Sequence, residues 1–154
     1  MIGLDTNIVV RYLTQDDPVQ SAQAADIIER KLTATNPGFV SVVTMAEVVW
    51  VLDRAYGLSG PEIVIAIERM LQVDVLAIEN EQEVFAAAIA LRQGRGTFAD
   101  ALIGELGRKA GCAYTLTFDR RAVRLPDSRL PLITFPRARL HNDFLPNTRP
   151  QAIL

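Results

Sequence analysis

The chain has 154 residues, of which 49% are hydrophobic and 22% are charged, a composition typical of one globular domain with a single core. Its formal net charge of -2 argues against a surface that binds nucleic acid everywhere, although the stretch from Asp119 to Leu154 has seven arginines against three aspartates and is basic. The single cysteine, Cys112, excludes an intramolecular disulfide. Asp5 interrupts the N-terminus before a signal peptide could form, and the apolar runs are too short for a membrane span. We therefore expect a cytoplasmic protein.

Short apolar runs rich in β-branched residues alternate with helical patterns along the first half of the chain. Asp17 followed by Pro18 is an N-cap and first-turn signal for a helix, and Gly57 ends another helix. The pattern predicts a strand over 1–4, a helix over 7–13, a helix over 18–32, a strand over 38–43 and a helix over 46–56.

The same alternation continues in the second half of the chain. Ser59 and Pro61 begin a helix, Asn80 caps the next one, and Gly111 ends the last. The pattern predicts a helix over 62–71, a strand over 73–78, helices over 81–93 and 98–110, a strand over 113–117 and an edge strand over 130–135.

Strands that alternate with helices are joined by right-handed crossovers into a parallel sheet with helices on both faces. We therefore predict an α/β fold: a three-layer α/β/α sandwich whose mainly parallel sheet has about five strands. One domain is expected over residues 1–135. Residues 136–154 contain three prolines and no clear period, which predicts an extended or disordered tail, and we assign no role to His141 within it.

Helix residues 50, 51 and 56 raise a separate question. Trp50, Val51 and Tyr56 are large apolar side chains at helical positions, and we expect them to be in the core. A surface position would instead indicate a contact with a partner or with a second copy of the chain.

Four acidic residues fall at the ends of predicted strands or in the first turns of helices. Asp5 and Asp119 directly follow strands, while Glu47 and Asp100 lie near helix starts. Ligands of an open parallel sheet bind outside the carboxyl ends of its strands, so all four carboxylates can converge on one edge.

Each of these carboxylates also has a simpler interpretation as a helix cap. Asp5 can cap the helix over 7–13, and Asp119 can cap the turn of "RRAV". Glu47 can form a capping box with Thr44, and Asp100 lies where a helix dipole favours an anion. Capping and a shared site therefore remain alternatives for each residue.

A set of converging carboxylates predicts a hard cation. Two carboxylates about 4 Å apart repel by roughly 4 kcal/mol at an effective dielectric constant near 20, so a cation or raised pKa values must relieve them. Oxygen ligands without paired His or Cys select Mg²⁺ or Mn²⁺, and one His with one Cys argues against structural zinc. The chemistry typical of such a site is phosphoryl or phosphodiester transfer.

Other phosphate-handling proteins share a sheet with an acidic pocket. A receiver-like, phosphorylatable signalling module needs a second acid beside Asp5 and a lysine after a late strand, but the only lysines are Lys31 and Lys109. A small-substrate, metal-dependent phosphatase usually has two aspartates two residues apart on the first strand, and "DTN" lacks the second. "GRGTFA" fits a dinucleotide fingerprint but follows a helix rather than a strand.

Four segments, "MIGLDTNIVVRYL", "TMAEVVWVL", "TFADALIGELGRKAGC" and "TLTFDRR", occur in the order found in one nuclease family. From Met1 to about Phe135 the chain resembles a PIN-domain ribonuclease, specifically the VapC-type toxin of bacterial toxin–antitoxin pairs. The resemblance implies a fold similar to flavodoxin, a Mg²⁺- or Mn²⁺-dependent endoribonuclease activity, and a homodimer held inactive by a cognate antitoxin.

The resemblance also assigns roles to individual residues. The catalytic and metal-binding acids of the family fall on Asp5, Glu47, Asp100 and Asp119. The polar residues that would orient water or a carboxylate around the metal fall on Thr6, Asn7 and Thr117. Some relatives have a further aspartate where this chain has Thr97, so the number of metal ions remains open.

Basic residues flank two of the four acids. We expect the substrate RNA to cross the acidic edge guided by Arg92, Arg95, Arg120 and Arg121. The alternative is that these arginines only form a charged surface exposed to solvent, without binding RNA.

Overall fold

The computed structural model describes residues 1–131, which contain six α-helices and five short β-strands, with two helices after each of the first three strands. The helices are α1 (Thr6–Thr14), α2 (Pro18–Asp26), α3 (Val42–Arg54), α4 (Gly60–Leu71), α5 (Glu81–Arg92) and α6 (Phe98–Lys109). The strands are β1 (Ile2–Gly3), β2 (Gly38–Val40), β3 (Leu76–Ile78), β4 (Thr115–Leu116) and β5 (Ser128–Arg129).

The strands pair in parallel. The first three form a sheet in the order β1-β2-β3, in which Gly38 pairs with Ile2 on one side and with Leu76 on the other. The last two form a separate parallel pair, β4-β5. Because a parallel pair needs a crossover, helices separate the strands of the first sheet. The predicted α/β class and three-layer α/β/α arrangement are confirmed.

The core lies between the helices and the first sheet. Helix α3 presents one buried face to it through Met45, Val48, Val49 and Leu52, each at most 7% exposed. Val51 and Tyr56 pack partly buried against this core, as expected. The expectation for Trp50 is wrong, because this residue is 63% exposed: it lies two positions after Val48, on the side of the helix turned away from the buried face.

The predicted strand over 38–43 is too long, and the reason is the start of α3. The strand ends at Val40, and the Ser41 side chain accepts a hydrogen bond from the Thr44 backbone N–H at 3.1 Å. A Glu79 carboxylate oxygen accepts from the Val42 N–H at 2.8 Å. These two acceptors satisfy the first free N–H groups and outweigh the preference of two valines for a strand.

Other boundaries also differ. The helix predicted over 18–32 is α2 followed by a π-helical turn, Ile27–Lys31. Asn80 lies at the start of α5 with φ 53°, but its side chain does not cap the helix and instead accepts from Lys109 Nζ at 2.5 Å. The last strand is observed at Ser128–Arg129, before the predicted 130–135.

Some predictions concern residues that the structure does not describe. Most of the predicted edge strand, the tail over 136–154 and His141 lie outside residues 1–131. Among the described residues, no helix has both the length and the hydropathy needed to cross a bilayer.

Candidate functional site

Asp5 lies at the carboxyl end of β1, where the ladder stops. The Leu4 N–H donates to the Phe39 carbonyl at 2.8 Å, and the next residue turns into α1. Asp5 occupies the N-cap position of α1, but its side chain accepts no capping hydrogen bond. Its carboxylate accepts instead from the Asn7 Nδ2 amide at 3.3 Å. Side-chain capping therefore does not account for an aspartate at this position.

Glu47 is tied to the same end of the sheet by a residue of α1. The Thr6 hydroxyl donates to Glu47 Oε2 at 2.6 Å, and Thr6 is only 6% exposed. The predicted capping box between Thr44 and Glu47 is wrong, because Ser41 is the N-cap of α3 and Glu47 lies in the second turn. The carboxylate of Glu47 is thus held against the start of α1 rather than against its own helix end.

Asp100 does have a capping role. One of its carboxylate oxygens, Oδ2, accepts from the Thr97 N–H at 3.3 Å and from the Thr97 hydroxyl at 2.6 Å. The Asp100 N–H in turn donates to Thr97 Oγ1 at 3.1 Å, which completes a capping box at the start of α6. The cap fixes the direction of the Asp100 side chain and occupies one of its two oxygens.

Asp119 follows β4 and holds the turn after it. The Thr117 hydroxyl oxygen accepts from the Asp119 N–H at 3.0 Å, and Asp119 Oδ1 accepts from the Arg121 N–H at 2.7 Å. The Arg121 Nε atom lies 3.9 Å from the same oxygen. The expected cap of the turn is therefore present, and it leads into a short 3₁₀ helix, Ala122–Arg124.

The four carboxylates share one property besides their position. Each uses a single oxygen in the local bonds described above, and no hydrogen bond within residues 1–131 involves the other oxygen. Helix α3, which carries Glu47, packs against both α1 and α6. In the described part of the chain, each carboxylate thus has one oxygen without a hydrogen bond: Asp5 and Asp119 after β1 and β4, Asp100 in the first turn of α6, and Glu47 in the second turn of α3.

The fit of a metal ion can be judged from these donors. All are oxygen atoms, which matches Mg²⁺ or Mn²⁺. Among the described residues, however, no three acidic, His or Cys side chains are close enough together to form a ready-made metal site. The donor chemistry fits a hard cation, and side-chain adjustment is needed to bring the carboxylates onto one ion.

Glu79 was not singled out from the sequence, although the same rule applies to it. It directly follows β3, as Asp5 follows β1, and it accepts the Val42 N–H at the start of α3. It therefore positions the helix that carries Glu47. The signal that could have found it is an acid immediately after a predicted strand.

The four arginines expected to guide RNA are not gathered in one place. Arg92 forms an ion pair with Glu68 of α4. Arg95 lines a separate cleft of about 280 Å³ between α5 and α6, and Arg120 is exposed in the loop after Asp119. Only Arg121 lines the largest of the described clefts.

That cleft, of about 400 Å³, is mostly apolar, and its lining includes Ala46 and Ala99, the sequence neighbours of Glu47 and Asp100. Phe98 contributes to its wall from the start of α6, and Trp50 does so from α3. Asp53, Arg54, Arg121 and Arg124 supply its charged groups. Arg124 is a functional candidate that sequence reasoning missed, and Trp50 is one that it expected in the core, because nothing local marks a residue as exposed beside a cleft.

Comparison with known proteins identifies the family. A search of curated protein sequences found no significant match. The family model described as the PIN domain matches residues 2–127, a range that contains all four acids and every described strand except β5. PIN domains are generally metal-dependent nucleases that act on nucleic acids. Since the match covers most of the length of this chain, the chain belongs to the PIN domain family.

Proposed function

We propose that this protein is a Mg²⁺- or Mn²⁺-dependent endoribonuclease of the VapC toxin type, which hydrolyses RNA phosphodiester bonds in the cytoplasm and is inhibited by a cognate antitoxin. The observation that carries the proposal is the arrangement of Asp5 and Glu47. Neither caps a helix through its side chain, yet both are held at the end of β1 by hydrogen bonds from Asn7 and Thr6. An exposed carboxylate fixed in this way suits a ligand rather than a structural role.

The four acids would hold the metal through their remaining oxygens. Asp5 and Glu47 approach from the α1 side, Asp100 from α6, and Asp119 from the end of β4. The bound ion would supply charge neutralisation at the phosphate and an activated water. Thr6, Asn7 and Thr117 would restrain the carboxylates or the backbone beside them, which limits how far the side chains must move to meet one ion.

The acidic site also suggests how the antitoxin would inhibit. We expect a partner with a small apolar helix and an Arg or Lys that reaches the four carboxylates and competes with the metal. Charge-assisted hydrogen bonds of this kind are strong, and Arg can bind a carboxylate through two N–H groups. If inhibition persisted unchanged after every basic residue near the site was neutralised in the partner, this mode of inhibition would be excluded.

A homodimer is part of the same proposal. Large apolar side chains on α3, α4 and α6 are exposed, with Val43 at 73%, Ile65 at 47% and Ile103 at 57%. Apolar side chains in such positions are available for contact with a second copy. Light scattering of the purified chain would show twice the monomer mass if the dimer forms, and the monomer mass if it does not.

The decisive experiment for the activity uses total RNA and protein freed of any co-purifying partner. Cleavage should require Mg²⁺ or Mn²⁺, stop when EDTA is added, and leave 5′-phosphate and 3′-hydroxyl ends. Among the described residues, the candidate site has no histidine that could act as a general base on the ribose 2′-hydroxyl, so cleavage through that hydroxyl is not expected. Activity that survives EDTA, or 2′,3′-cyclic phosphate ends, would contradict the proposal.

A further inference from the structure

The cleft of about 400 Å³ is lined by Trp50, the only tryptophan of the chain. Trp50 is 63% exposed on α3, three residues after Glu47, so the two side chains lie on neighbouring positions of one helix face. No hydrogen bond within residues 1–131 involves its indole N–H. A large aromatic ring is thus available at the border of the candidate catalytic site.

The remainder of the cleft combines an apolar wall with charged groups that are mostly basic. Its one acid among the described residues, Asp53, lies 3.3 Å from the Nε of Arg54, which also lines the cleft. The wall includes Val49, Ile63 and Phe98, each at most 7% exposed. Arg121 and Arg124 contribute guanidinium groups from the turn that follows Asp119. Within the described residues Arg124 has no ion-pair partner, whereas the Arg121 Nε lies 3.9 Å from Asp119.

These features match one class of ligand. An unstacked nucleobase presents a flat apolar face to an aromatic ring, and its backbone presents phosphate to arginines. The cleft volume of about 400 Å³ lies within the ordinary range of small-ligand sites. Base-paired RNA would not offer this face, because its bases are stacked inside the helix.

We propose that this cleft binds an unpaired nucleobase next to the cleaved phosphodiester, with Trp50 stacking on the base and Arg121 and Arg124 holding its phosphate. The proposal rests on the ribonuclease function and adds to it a subsite for the base beside the cleaved phosphodiester. Charge complementarity favours RNA over an apolar protein surface, since two arginines face the cleft from the same turn as Asp119. The lining residues Ala46, Ala99 and Arg121 are close in sequence to Glu47, Asp100 and Asp119, so the bound base would lie near these acids.

The single tryptophan makes the proposal directly measurable, because the intrinsic indole fluorescence of the chain reports on this cleft alone. The probes are single-stranded oligouridylate and oligoadenylate, and the duplex formed by annealing them. Titration in EDTA prevents hydrolysis. We expect quenching by the single strands and little change with the duplex.

Binding of the same labelled single strands to variants supplies the second measurement. Trp50→Ala should weaken binding by about 5- to 150-fold, the range typical of losing one base–aromatic stack, while Trp50→Phe should restore most of it. Arg124→Gln should weaken binding. It should also lower the slope of log K against log salt concentration by about 0.7, the contribution of one phosphate contact on a single strand. The matched control is Val19→Ala, which shortens an exposed apolar residue of α2 outside the cleft and should bind like the parent.

Three results would overturn the proposal. In the first, single-stranded RNA leaves the fluorescence of the parent unchanged. In the second, Trp50→Ala binds RNA as tightly as the parent does. In the third, the only effect of Trp50→Ala is a lower mass in light scattering. The last result would assign Trp50 to a contact between copies. A parent that cleaves RNA without quenching contradicts the nucleobase site alone, and a parent that is quenched but never cleaves supports that site and contradicts the nuclease proposal.

Discussion

The Thr6 hydroxyl donates to the Glu47 carboxylate at 2.6 Å and joins the residue after Asp5 to α3 across 41 positions of sequence. Thr6 is buried, whereas Glu47 is exposed. The contact therefore holds a carboxylate in place at the surface from a donor that is itself fixed by packing. If Glu47 contributes to a metal site, this hydrogen bond sets its direction.

Replacing the donor tests that relationship. Thr6→Val keeps the shape of the side chain but removes the hydroxyl, so Glu47 should lose its fixed direction. We expect metal affinity and RNA cleavage to fall by about 10- to 100-fold, as is typical when the partner of a metal ligand is lost. Stability should fall by only about 1 kcal/mol, because the exposed carboxylate can be hydrated instead. Thr6→Ser, which retains the donor, is the control, and a Thr6→Val protein with parental cleavage would show that the hydrogen bond is only structural.

The effect of metal on thermal stability distinguishes a ligand from a cap at Asp5. Since its side chain makes no capping bond, Asp5→Asn should leave the melting temperature in EDTA unchanged or slightly raised by the loss of one like charge. Mg²⁺ at 100 times its Kd should stabilise the parent by about 2.7 kcal/mol and the variant much less.

Asp74→Asn, at an exposed position in the turn before β3, is the control and should respond to Mg²⁺ as the parent does. Equal Mg²⁺ responses in all three proteins would remove Asp5 from the metal site.

The acid stability of the fold should depend on Asp16. Hydrogen bonds from the Tyr56 hydroxyl at 2.6 Å and from Arg11 at 2.5 Å hold the pKa of its carboxyl well below the ordinary value of 3.8. A carboxyl whose pKa is lower in the folded state stabilises the protein above its unfolded pKa, and this contribution is lost as the pH falls through the folded pKa.

Asp16→Asn should therefore be less stable than the parent at neutral pH, and the difference should shrink steadily below about pH 4. Urea midpoints measured from pH 7 to pH 2 provide the check. A difference that stays constant across this range would mean that Asp16 acts through packing rather than through its charge.

The start of α3 should be sensitive to its cap. Ser41→Ala removes the acceptor of the Thr44 N–H and should cost about 0.5–2 kcal/mol, measured by chemical unfolding. Ser41→Asp keeps an acceptor at the N-cap and should recover most of the loss. Thr44→Ala should have a smaller effect than Ser41→Ala, because Thr44 is inside the helix. A larger loss of stability in Thr44→Ala than in Ser41→Ala would identify Thr44 as the N-cap.

Local signals in the sequence were sufficient to predict several helix starts. The Asp17 side chain accepts from the N–H groups of Val19 and Gln20, and the predicted helix start at Ser59 is a capping box in which the Glu62 carboxylate accepts from the Ser59 N–H at 2.8 Å. Such contacts depend on neighbouring residues alone, so composition and spacing reveal them. The α/β class follows for a similar reason, since it depends on the order of elements.

Contacts between distant residues were not accessible in this way. The boundary of α3 depends on Glu79, 37 positions from Val42, and the orientation of Glu47 depends on Thr6. The exposure of Trp50 depends on which face of α3 the core covers. Because tertiary packing decides these features, the sequence favoured a longer strand, a Thr44–Glu47 cap and a buried tryptophan.

The central claim is that Asp5, Glu47, Asp100 and Asp119 act as one catalytic site, and cleavage rates of single and double variants test it most directly. Under single-turnover conditions with Mg²⁺, Asp5→Asn and Asp100→Asn should each lower the rate by orders of magnitude, with Asp74→Asn unchanged. The Asp5→Asn/Asp100→Asn double variant should be little slower than either single variant, because residues that act as a unit are strongly non-additive. Single variants that retain parental rates, or losses that multiply in the double variant, would contradict the claim.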